Sequence, residues 1–465
     1  MSNIKLKFLT IGLVVILMMT TGFGCKQGNL AAIKELNEPI TLKYWRVFDG
    51  EDAFQEIIAN YKKLHPNVNI EYRKLRYDEY EQALLEAWAE DRGPDIFAVY
   101  NTWVGKYETK ILPAPNSVKL PYAVEYNKRT RAIEKADYKQ VKILSPFEVR
   151  EKFAEVVYLD AIKDDKVMGL PLSVDTLALF YNRTLLDNAQ IVKVPSTWLE
   201  IKEAVKKLTL QDEEGNIVQT GIALGTADNI NRSMDILSML MMQNGAQMID
   251  GVTGKVIFDK ASPYADDQSH KPGMEALRFY TDFAMPSKEV YTWDDSKGEA
   301  SEEFIAGRLA MMLGYAYQLP LIKTQGAKLN LGVATAPHIN QNGTDALGSK
   351  INMASYWLET VSKKTKYENY AWDFLQFATS EAQAINYLNK TKKPTALRVL
   401  VPQQLQDVDM AAFADQVLTA QSWYRGNNPQ PMEDVLKEMI KNVVQGKNTA
   451  LEAIEFAAKK INQTL

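Results

Sequence analysis

Aromatic and charged side chains follow two stretches of this sequence that have the pattern of β-strands. Residues 40–48, ITLKYWRVF, are rich in β-branched and aromatic residues, and residues 95–100, DIFAVY, form a continuous apolar run typical of a buried parallel strand. Ligands of parallel α/β sheets bind beyond the carboxyl ends of the strands. The sequence therefore predicts that a ligand site includes the residues near these ends: Trp45, Arg46, Asp49, Asn101 and Trp103. For Trp45, a core position on the strand is the alternative.

Side chains that commonly carry catalysis or hold metals are few and scattered. The three histidines, His65, His270 and His338, lie far apart without metal-ligand spacing, and the only cysteine is Cys25. No Gly-x-Ser-x-Gly, Walker or dinucleotide motif occurs. We therefore expect no catalytic residue, no metal site and no cofactor. A carboxylate pair for glycoside hydrolysis stays open, because acidic residues are abundant.

The N-terminus has the pattern of a secretory signal peptide. Two lysines precede an apolar block at residues 8–19, which is shorter than the ~20 residues that span a bilayer, and small residues lead up to Cys25. A cysteine at this place resembles the bacterial lipobox, in which the thiol takes a diacylglycerol. We predict a signal peptide at residues 1–24, lipidation of Cys25, and a tether at residues 25–38. An ordinary cleaved signal with an incidental thiol is the alternative.

Length and charge indicate a globular α/β chain with more than one core. The 465 residues carry a formal net charge of −4 without a long basic run, so a nucleic-acid partner is not expected. The roughly 440 residues after the signal exceed what one hydrophobic core usually supports. Strand and helix patterns alternate up to residue 100, which predicts a parallel α/β sheet, and residues 108–142 are expected to form a surface excursion.

Four stretches, taken in order, resemble the extracellular solute-binding proteins of ABC importers, specifically the sugar-binding, maltose-binding-protein-like family. The likeness spans the chain from about residue 40 to the C-terminus. The four stretches are YEQALLEAWAEDRGPDIFAVYNTW, GLPLSVDTLALFYNRTLLDNA with VPSTWLEIKEAVKKL, FIAGRLAMMLGY, and YENYAWDFLQFATSEAQAINY.

The resemblance implies an α/β, two-lobed periplasmic-binding-protein-like fold of type II. Each lobe would hold a mixed or parallel sheet flanked by helices, and crossing hinge strands would join the lobes. The crossings would be LPLSVDTLAL, GRLAMML and INMASYWL. The first lobe would comprise residues 39–173 and 311–352, and the second would comprise residues 178–307 and 356–465.

The family resemblance also implies where a ligand would be bound. A sugar needs aromatic rings against its C–H face and charged or amide groups for its hydroxyls. Beyond the five residues above, the expected ligand contacts are Asp175, Tyr315, Tyr317, Trp357, Trp423 and Arg425. For Asp175 the alternative is a hinge-orienting bond to backbone. Trp293 is a weaker candidate, and Met239, Met241 and Met242 are expected in a core.

The function implied by the resemblance is that of a lipid-anchored receptor. It would bind a sugar or oligosaccharide between its lobes and deliver it to ABC transporter permease subunits in the membrane, as a monomer at a cell surface or in a periplasm. A polyamine, a phosphonate or a ferric ion is the alternative ligand. Ferric sites usually use paired tyrosines, and Tyr315 and Tyr317 form such a pair in the sequence. A secreted glycan-processing enzyme is the alternative of another class.

Overall fold

The computed structural model describes residues 29–261, 269–341, 344–345 and 350–465. The predicted signal peptide at residues 1–24 and the lipidation site Cys25 lie outside the described residues.

The first lobe is built on a five-stranded sheet whose strands 40–47 and 96–100 were expected from the sequence. Trp357–Val361 runs antiparallel to both of its neighbours, and the three strands on one side of it are parallel to one another. The order is Val68–Leu75, Ile40–Val47, Ile96–Tyr100, Trp357–Val361 and Leu170–Pro171. Its helices are Leu30–Asn37, Gln55–Leu64, Tyr77–Ala89, Val104–Tyr107, Pro146–Lys152, Glu155–Ala161, Glu368–Ala378 and Glu381–Thr391.

The second lobe holds another five-stranded sheet, in which parallel and antiparallel pairs are mixed. The strand order is Leu210–Gln211, Ile217–Ile222, Leu309–Gly314, Ala178–Asn182 and Leu331–Thr335. Its helices are Arg183–Asn188, Trp198–Leu208, Ser233–Gln243, Pro272–Asp282, Ala300–Ile305, Leu319–Gln325, Pro429–Val444 and Ala450–Ile461. Two further short helices, Val401–Gln404 and Ala411–Ala414, precede the last passage between the lobes.

A small sheet of three strands joins the lobes, and we call it the hinge sheet. Asn352–Ser355 lies in its centre, antiparallel to Asp175–Thr176 and parallel to Ala420–Gln421. The chain therefore passes between the lobes three times. The predicted crossings LPLSVDTLAL and INMASYWL are two of these passages.

The predicted division of the chain between the lobes was wrong in two places. Leu309–Gly314 was expected to cross, but it pairs with Ala178–Asn182 and Ile217–Ile222 inside the second lobe. The missed third crossing begins at Ala420–Gln421. Consequently most of residues 311–352 belong to the second lobe, and Trp357–Val361 with the helices of residues 368–391 belongs to the first. Leu309–Gly314 and Trp357–Val361 are both largely buried, and a buried strand does not encode which sheet it joins.

The surface excursion contains regular structure. Ser117–Tyr126 and Ile133–Lys142 form a long antiparallel hairpin, and the helix Leu30–Asn37 packs beside it. Asn29 donates its backbone N–H to the Ala136 carbonyl at 3.0 Å. The prediction of a tether at residues 25–38 is therefore wrong for residues 29–38, because the apolar side of this helix packs against the hairpin.

Each lobe has its own hydrophobic core. Met239, Met241 and Met242 lie in the core of the second lobe, as predicted. Capping boxes begin several helices, for example Ser145 with Glu148 and Thr197 with Glu200.

Candidate functional site

Five aromatic side chains of the first lobe cluster at the carboxyl edge of its sheet, and we call them the aromatic platform. Ring centroids lie 5.7 Å apart for Phe48 and Tyr77, 5.5 Å for Tyr100 and Trp357, and 5.6 Å for Trp103 and Trp357. Phe48 is 54% exposed and Tyr77 is 49% exposed, so the platform faces outward at that side. It offers apolar ring faces to a ligand at the place where α/β sheets bind ligands.

The strand register explains why these rings meet. Phe48 follows the strand Ile40–Val47, and Tyr100 ends the strand Ile96–Tyr100. Trp357 begins an antiparallel strand and pairs with Tyr100, so its ring lies at the same edge. Phe48 has φ = +64°, a left-handed conformation that is costly for an aromatic residue. Such strain is frequent at functional sites.

Charged side chains of the second lobe lie opposite the platform. Arg232 donates two hydrogen bonds to the carboxylate of Asp235, at 2.8 and 2.9 Å, and one to Glu433 at 3.0 Å. We call these three residues the charged trio. The Arg232 guanidinium carbon lies 5.7 Å from the ring centroid of Tyr100 in the first lobe. The lobes are therefore in contact at this point.

Two tyrosines extend the second-lobe side of the site. The rings of Tyr315 and Tyr317 stack with centroids 6.0 Å apart, and the Tyr315 hydroxyl donates to Asp235 at 2.8 Å. Burial raises the pKa of Tyr315 well above its usual range, and the Asp235 carboxylate adds to this effect. Burial disfavours the charged form of Arg232, but Asp235, Tyr100 and Glu433 offset this, so its pKa is raised. Both groups keep their protons at neutral pH.

Asp175 orients this tyrosine pair through the backbone. Its carboxylate accepts hydrogen bonds from the backbone N–H groups of Ala316 at 2.9 Å, Tyr317 at 3.2 Å and Thr176 at 2.9 Å. Burial raises the pKa of Asp175 to about 7, although these hydrogen bonds act in the opposite direction. The geometry is that of the hinge-orienting alternative, with the carboxylate directed at backbone.

Arg46 and Asp49 lie in a buried ionic network of the first lobe, and their expected cleft position is wrong. Arg46 is 2% exposed and donates to Glu359 at 2.8 Å and to the Tyr387 hydroxyl at 3.0 Å, besides its ion pair with Asp49. Lys393 donates to Asp49 at 2.6 Å. Partners from residues 359–393 thus enclose both groups. Burial lowers the pKa of Lys393 to about 7.

Trp45 is also a core residue, as its alternative assignment stated. It is buried, and its neighbour Arg73 places its guanidinium carbon 4.7 Å from the ring centroid.

Asn101 and Arg425 meet at a buried carboxylate that sequence reasoning missed. Asp160 accepts hydrogen bonds from Asn101 at 3.1 Å, from the Tyr356 hydroxyl at 2.8 Å, from Ser422, and from Arg425 at 2.8 Å. Asp160 belongs to the first lobe, whereas Ser422 and Arg425 follow the last hinge strand. This cluster therefore holds the third crossing against the first lobe. Asn101 is buried in it, whereas the Arg425 side chain is 40% exposed and its ligand contact stays a prediction.

Two further tryptophans are internal. Trp423 is 5% exposed and its indole N–H donates to Ser238 at 3.2 Å, so it does not form an exposed cleft lip, but it lines a small cavity beside the charged trio. Trp293 is buried in the second lobe and donates to Thr226 and Asn229.

Of the predicted site residues, the structure brings four to the facing surfaces: Trp103 and Trp357 on one lobe, and Tyr315 and Tyr317 on the other. The missed residues are Phe48, Tyr77, Tyr100, Arg232, Asp235 and Glu433. The strand-end signal that selected Trp103 also marks Phe48, Tyr77 and Tyr100. The charged trio has no comparable signal, because Arg232 and Glu433 are about 200 residues apart.

Between the lobes, the small cavity beside the charged trio has a volume of about 20 Å³, room for roughly one water. A larger guest must therefore bind over the exposed rings or after the lobes separate. In the described ranges, no group of three or more His, Cys, Asp or Glu side chains could hold a metal ion. Nor does any helix in them combine the length and apolar character needed to cross a bilayer.

Two known binding proteins are similar in sequence to this chain over most of its length. The galactooligosaccharide-binding protein of Bacillus subtilis (strain 168) is 20% identical over 455 residues, 94% of this chain and 92% of that protein. The maltotriose-binding protein of Pyrococcus abyssi is 20% identical over 347 residues, 72% of this chain but only 61% of that protein.

Solved structures establish the fold. The sugar-binding protein MalE from Xanthomonas citri has a TM-score of 0.68 at 17% identity, covering 91% of this chain and 97% of that chain. A cyclo/maltodextrin-binding protein complexed with maltotetraose has a TM-score of 0.67 at 17% identity, covering 92% and 97%. These matches confirm the predicted type II periplasmic-binding-protein-like fold. The family model described as "Bacterial extracellular solute-binding protein" matches residues 49–385, and the chain belongs to this family.

Proposed function

We propose that this protein binds a sugar or oligosaccharide between the aromatic platform and the charged trio. The observation that carries the proposal is the arrangement of these two surfaces. Rings such as Trp357 and Tyr77 can cover the C–H face of a pyranose, while Asp235 and Glu433 can accept hydrogen bonds from hydroxyl groups. Hydrogen bonds to charged groups contribute ~1.5–3 kcal/mol each, about twice the neutral value.

The charges of the site argue against an anionic ligand such as a phosphonate. The guanidinium of Arg232 is shared between the two carboxylates of Asp235 and Glu433, so the trio carries a net negative charge. A ferric ion would need phenolates, but the Tyr315 hydroxyl donates to Asp235 and its pKa is raised. A polyamine could use the rings and carboxylates, and it serves as the competing ligand in the test below.

The same proposal includes the cellular role. The family is extracellular, and we infer a receptor that delivers its ligand to ABC permease subunits, held at the membrane through a lipid on Cys25 and acting as a monomer without catalysis. The maltotriose-, galactooligosaccharide- and maltodextrin-binding relatives support this inference. Incubation with mixed oligosaccharides should return them unchanged on chromatography, and product formation would contradict the absence of catalysis.

The proposed ligand class is tested by thermal shift and calorimetry against maltotriose, galactooligosaccharides, monosaccharides, spermidine and a phosphonate. A ligand at ~100 times its dissociation constant stabilises the folded state by ~2.7 kcal/mol. We expect at least one sugar, and neither spermidine nor the phosphonate, to raise the melting temperature. Stabilisation by spermidine alone would overturn the sugar assignment.

Matched variants locate the binding site. Tyr77→Ala and Trp357→Ala remove rings of the aromatic platform and should reduce the sugar-induced shift strongly. Tyr126→Ala removes a ring of similar exposure, 52%, from the hairpin and should leave the shift unchanged. Equal shifts in all three variants would show that the ligand binds elsewhere.

A further inference from the structure

The hairpin of the first lobe concentrates positive charge on a chain that is otherwise negative. Residues 117–142 contain seven Lys or Arg and three Asp or Glu, a net charge of +4, whereas the remaining residues sum to −8. Six of the basic side chains have no ion-pair partner among the described residues, and only Lys142 is paired, with Glu148. The six are Lys119, Lys128, Arg129, Arg131, Lys135 and Lys139. Five of these are exposed, and the sixth, Lys135, is half-buried. Unpaired charges of one sign leave a positive potential on this surface.

Apolar side chains accompany these charges. Tyr122, Val124 and Tyr126 are exposed on the first strand of the hairpin. A groove of about 1090 Å³ separates the hairpin from the body of the first lobe, and its lining includes Tyr122, Tyr126, Arg131, Lys139 and Lys62. Tyrosine beside Lys and Arg is the combination that membrane–water interfaces favour.

The first described helix of the chain, Leu30–Asn37, packs beside this hairpin. Asn29 donates its backbone N–H to Ala136, and Glu35 accepts from the Tyr138 hydroxyl at 2.8 Å. The helix Leu30–Asn37 therefore begins beside the part of the hairpin nearer to its turn. Asn29 follows Cys25 by four residues in the sequence.

The groove and the aromatic platform lie at opposite edges of the first sheet. The groove is lined by Pro39, Thr41 and Asn69 at the amino ends of two strands, and the platform lies beyond the carboxyl ends. The strand Ile40–Val47 has eight residues, so the two surfaces are separated by roughly 26 Å. A flat surface against the hairpin would leave the platform open to solvent.

We propose that the basic hairpin, at the end of the first sheet opposite the aromatic platform, docks on the anionic headgroups of a lipid bilayer. Each Lys or Arg near an anionic surface adds about a fivefold preference, and the attraction fades within the Debye length of ~8 Å. The lipid on Cys25 belongs to the proposed function, whereas the charge and exposure of the hairpin do not depend on it.

Flotation with vesicles tests this docking without any lipid anchor. Residues 29–465 contain both hydrophobic cores and are used as purified protein. We expect this protein to bind vesicles of phosphatidylglycerol and phosphatidylcholine, to be released by 0.5 M salt, and not to bind phosphatidylcholine alone. The triple variant Lys128→Glu, Arg129→Glu, Arg131→Glu should bind the anionic vesicles at least roughly 100-fold more weakly.

A second triple variant controls for net charge. Lys255→Glu, Lys328→Glu and Lys447→Glu change three exposed lysines of the second lobe and should bind within about threefold of the unmodified protein. Equal losses in both triple variants, or no binding to anionic vesicles, would overturn the proposal. Capture of soluble polyphosphate without vesicle binding would overturn it as well. The sugar-induced thermal shift should be equal in all three proteins, so failure of docking is distinguishable from failure of the proposed sugar binding.

Discussion

The guanidinium of Arg232 on the second lobe lies 5.7 Å from the ring centroid of Tyr100 on the first. Tyr100 in turn bonds through its hydroxyl to Ser355 of the hinge sheet, at 2.9 Å. One residue therefore links the aromatic platform, the charged trio and a crossing strand. A ligand that inserts between Arg232 and Tyr100 replaces a contact between the lobes, so binding and lobe movement are coupled at this point.

Replacing Arg232 by Gln should weaken both folding and closure. Asp235 and Glu433 would then lack their shared cation, which we expect to lower the free energy of unfolding by about 1–3 kcal/mol. Urea unfolding measures this loss, and small-angle scattering should show a larger radius of gyration. Arg278→Gln, at an exposed position without an ion pair among the described residues, is the control. Equal stability of both variants would contradict the importance of the charged trio.

Replacing Phe48 by Gly should relieve backbone strain but weaken ligand binding. Phe48→Gly relieves a left-handed conformation with a cost of order 1–3 kcal/mol but loses ring contacts to Tyr77 and Trp357. We expect the unfolding free energy to change by less than about 1 kcal/mol, whereas the sugar-induced thermal shift falls sharply. Arg131→Gly relieves a similar conformation, with φ = +62°, at the hairpin turn and should leave that shift intact. A full shift in Phe48→Gly would remove Phe48 from the site.

Asp175 should make stability decline with pH. Burial raises its pKa to about 7 in the folded state, against an ordinary value of 3.8, so the folded protein binds this proton more tightly than the unfolded chain does. The contribution is complete below about pH 4 and is lost as the pH rises to about 7. Asp175→Asn should flatten the plot of unfolding free energy against pH in this interval. Parallel profiles for the two proteins would contradict the raised pKa.

Asp160 should hold the third crossing in place. Asp160→Asn leaves Arg425 without its carboxylate partner and replaces one acceptor oxygen by an NH2 group, which then faces a donor of the cluster. We therefore expect the unfolding free energy to fall by about 2–4 kcal/mol. Chemical denaturation measures this loss. Asp164→Asn, an exposed change on the same lobe, should have no effect. Should both variants unfold alike, the Asp160 cluster would not stabilise the hinge.

The parts of the fold that the sequence predicted depend on local patterns. Strands 40–47 and 96–100, the capped helices and the first hinge passage near Asp175 all follow from periodicity, capping residues or family likeness. The strand-end rule also put Trp103 at the carboxyl edge of the sheet, where the structure has it, and its ligand contact stays a prediction. It selected Arg46 and Asp49 wrongly, because their partners Glu359, Tyr387 and Lys393 are more than 300 residues away.

By itself the sequence determined an α/β protein of two lobes with aromatic residues after its strands, and it predicts a secretory N-terminus. Only the tertiary structure decided which sheet receives Leu309–Gly314 and Trp357–Val361, and which charges are buried among partners. The physical reason is that strand pairing and charge burial depend on contacts between distant residues, and an apolar run or a carboxylate looks the same in the sequence whichever partner it meets.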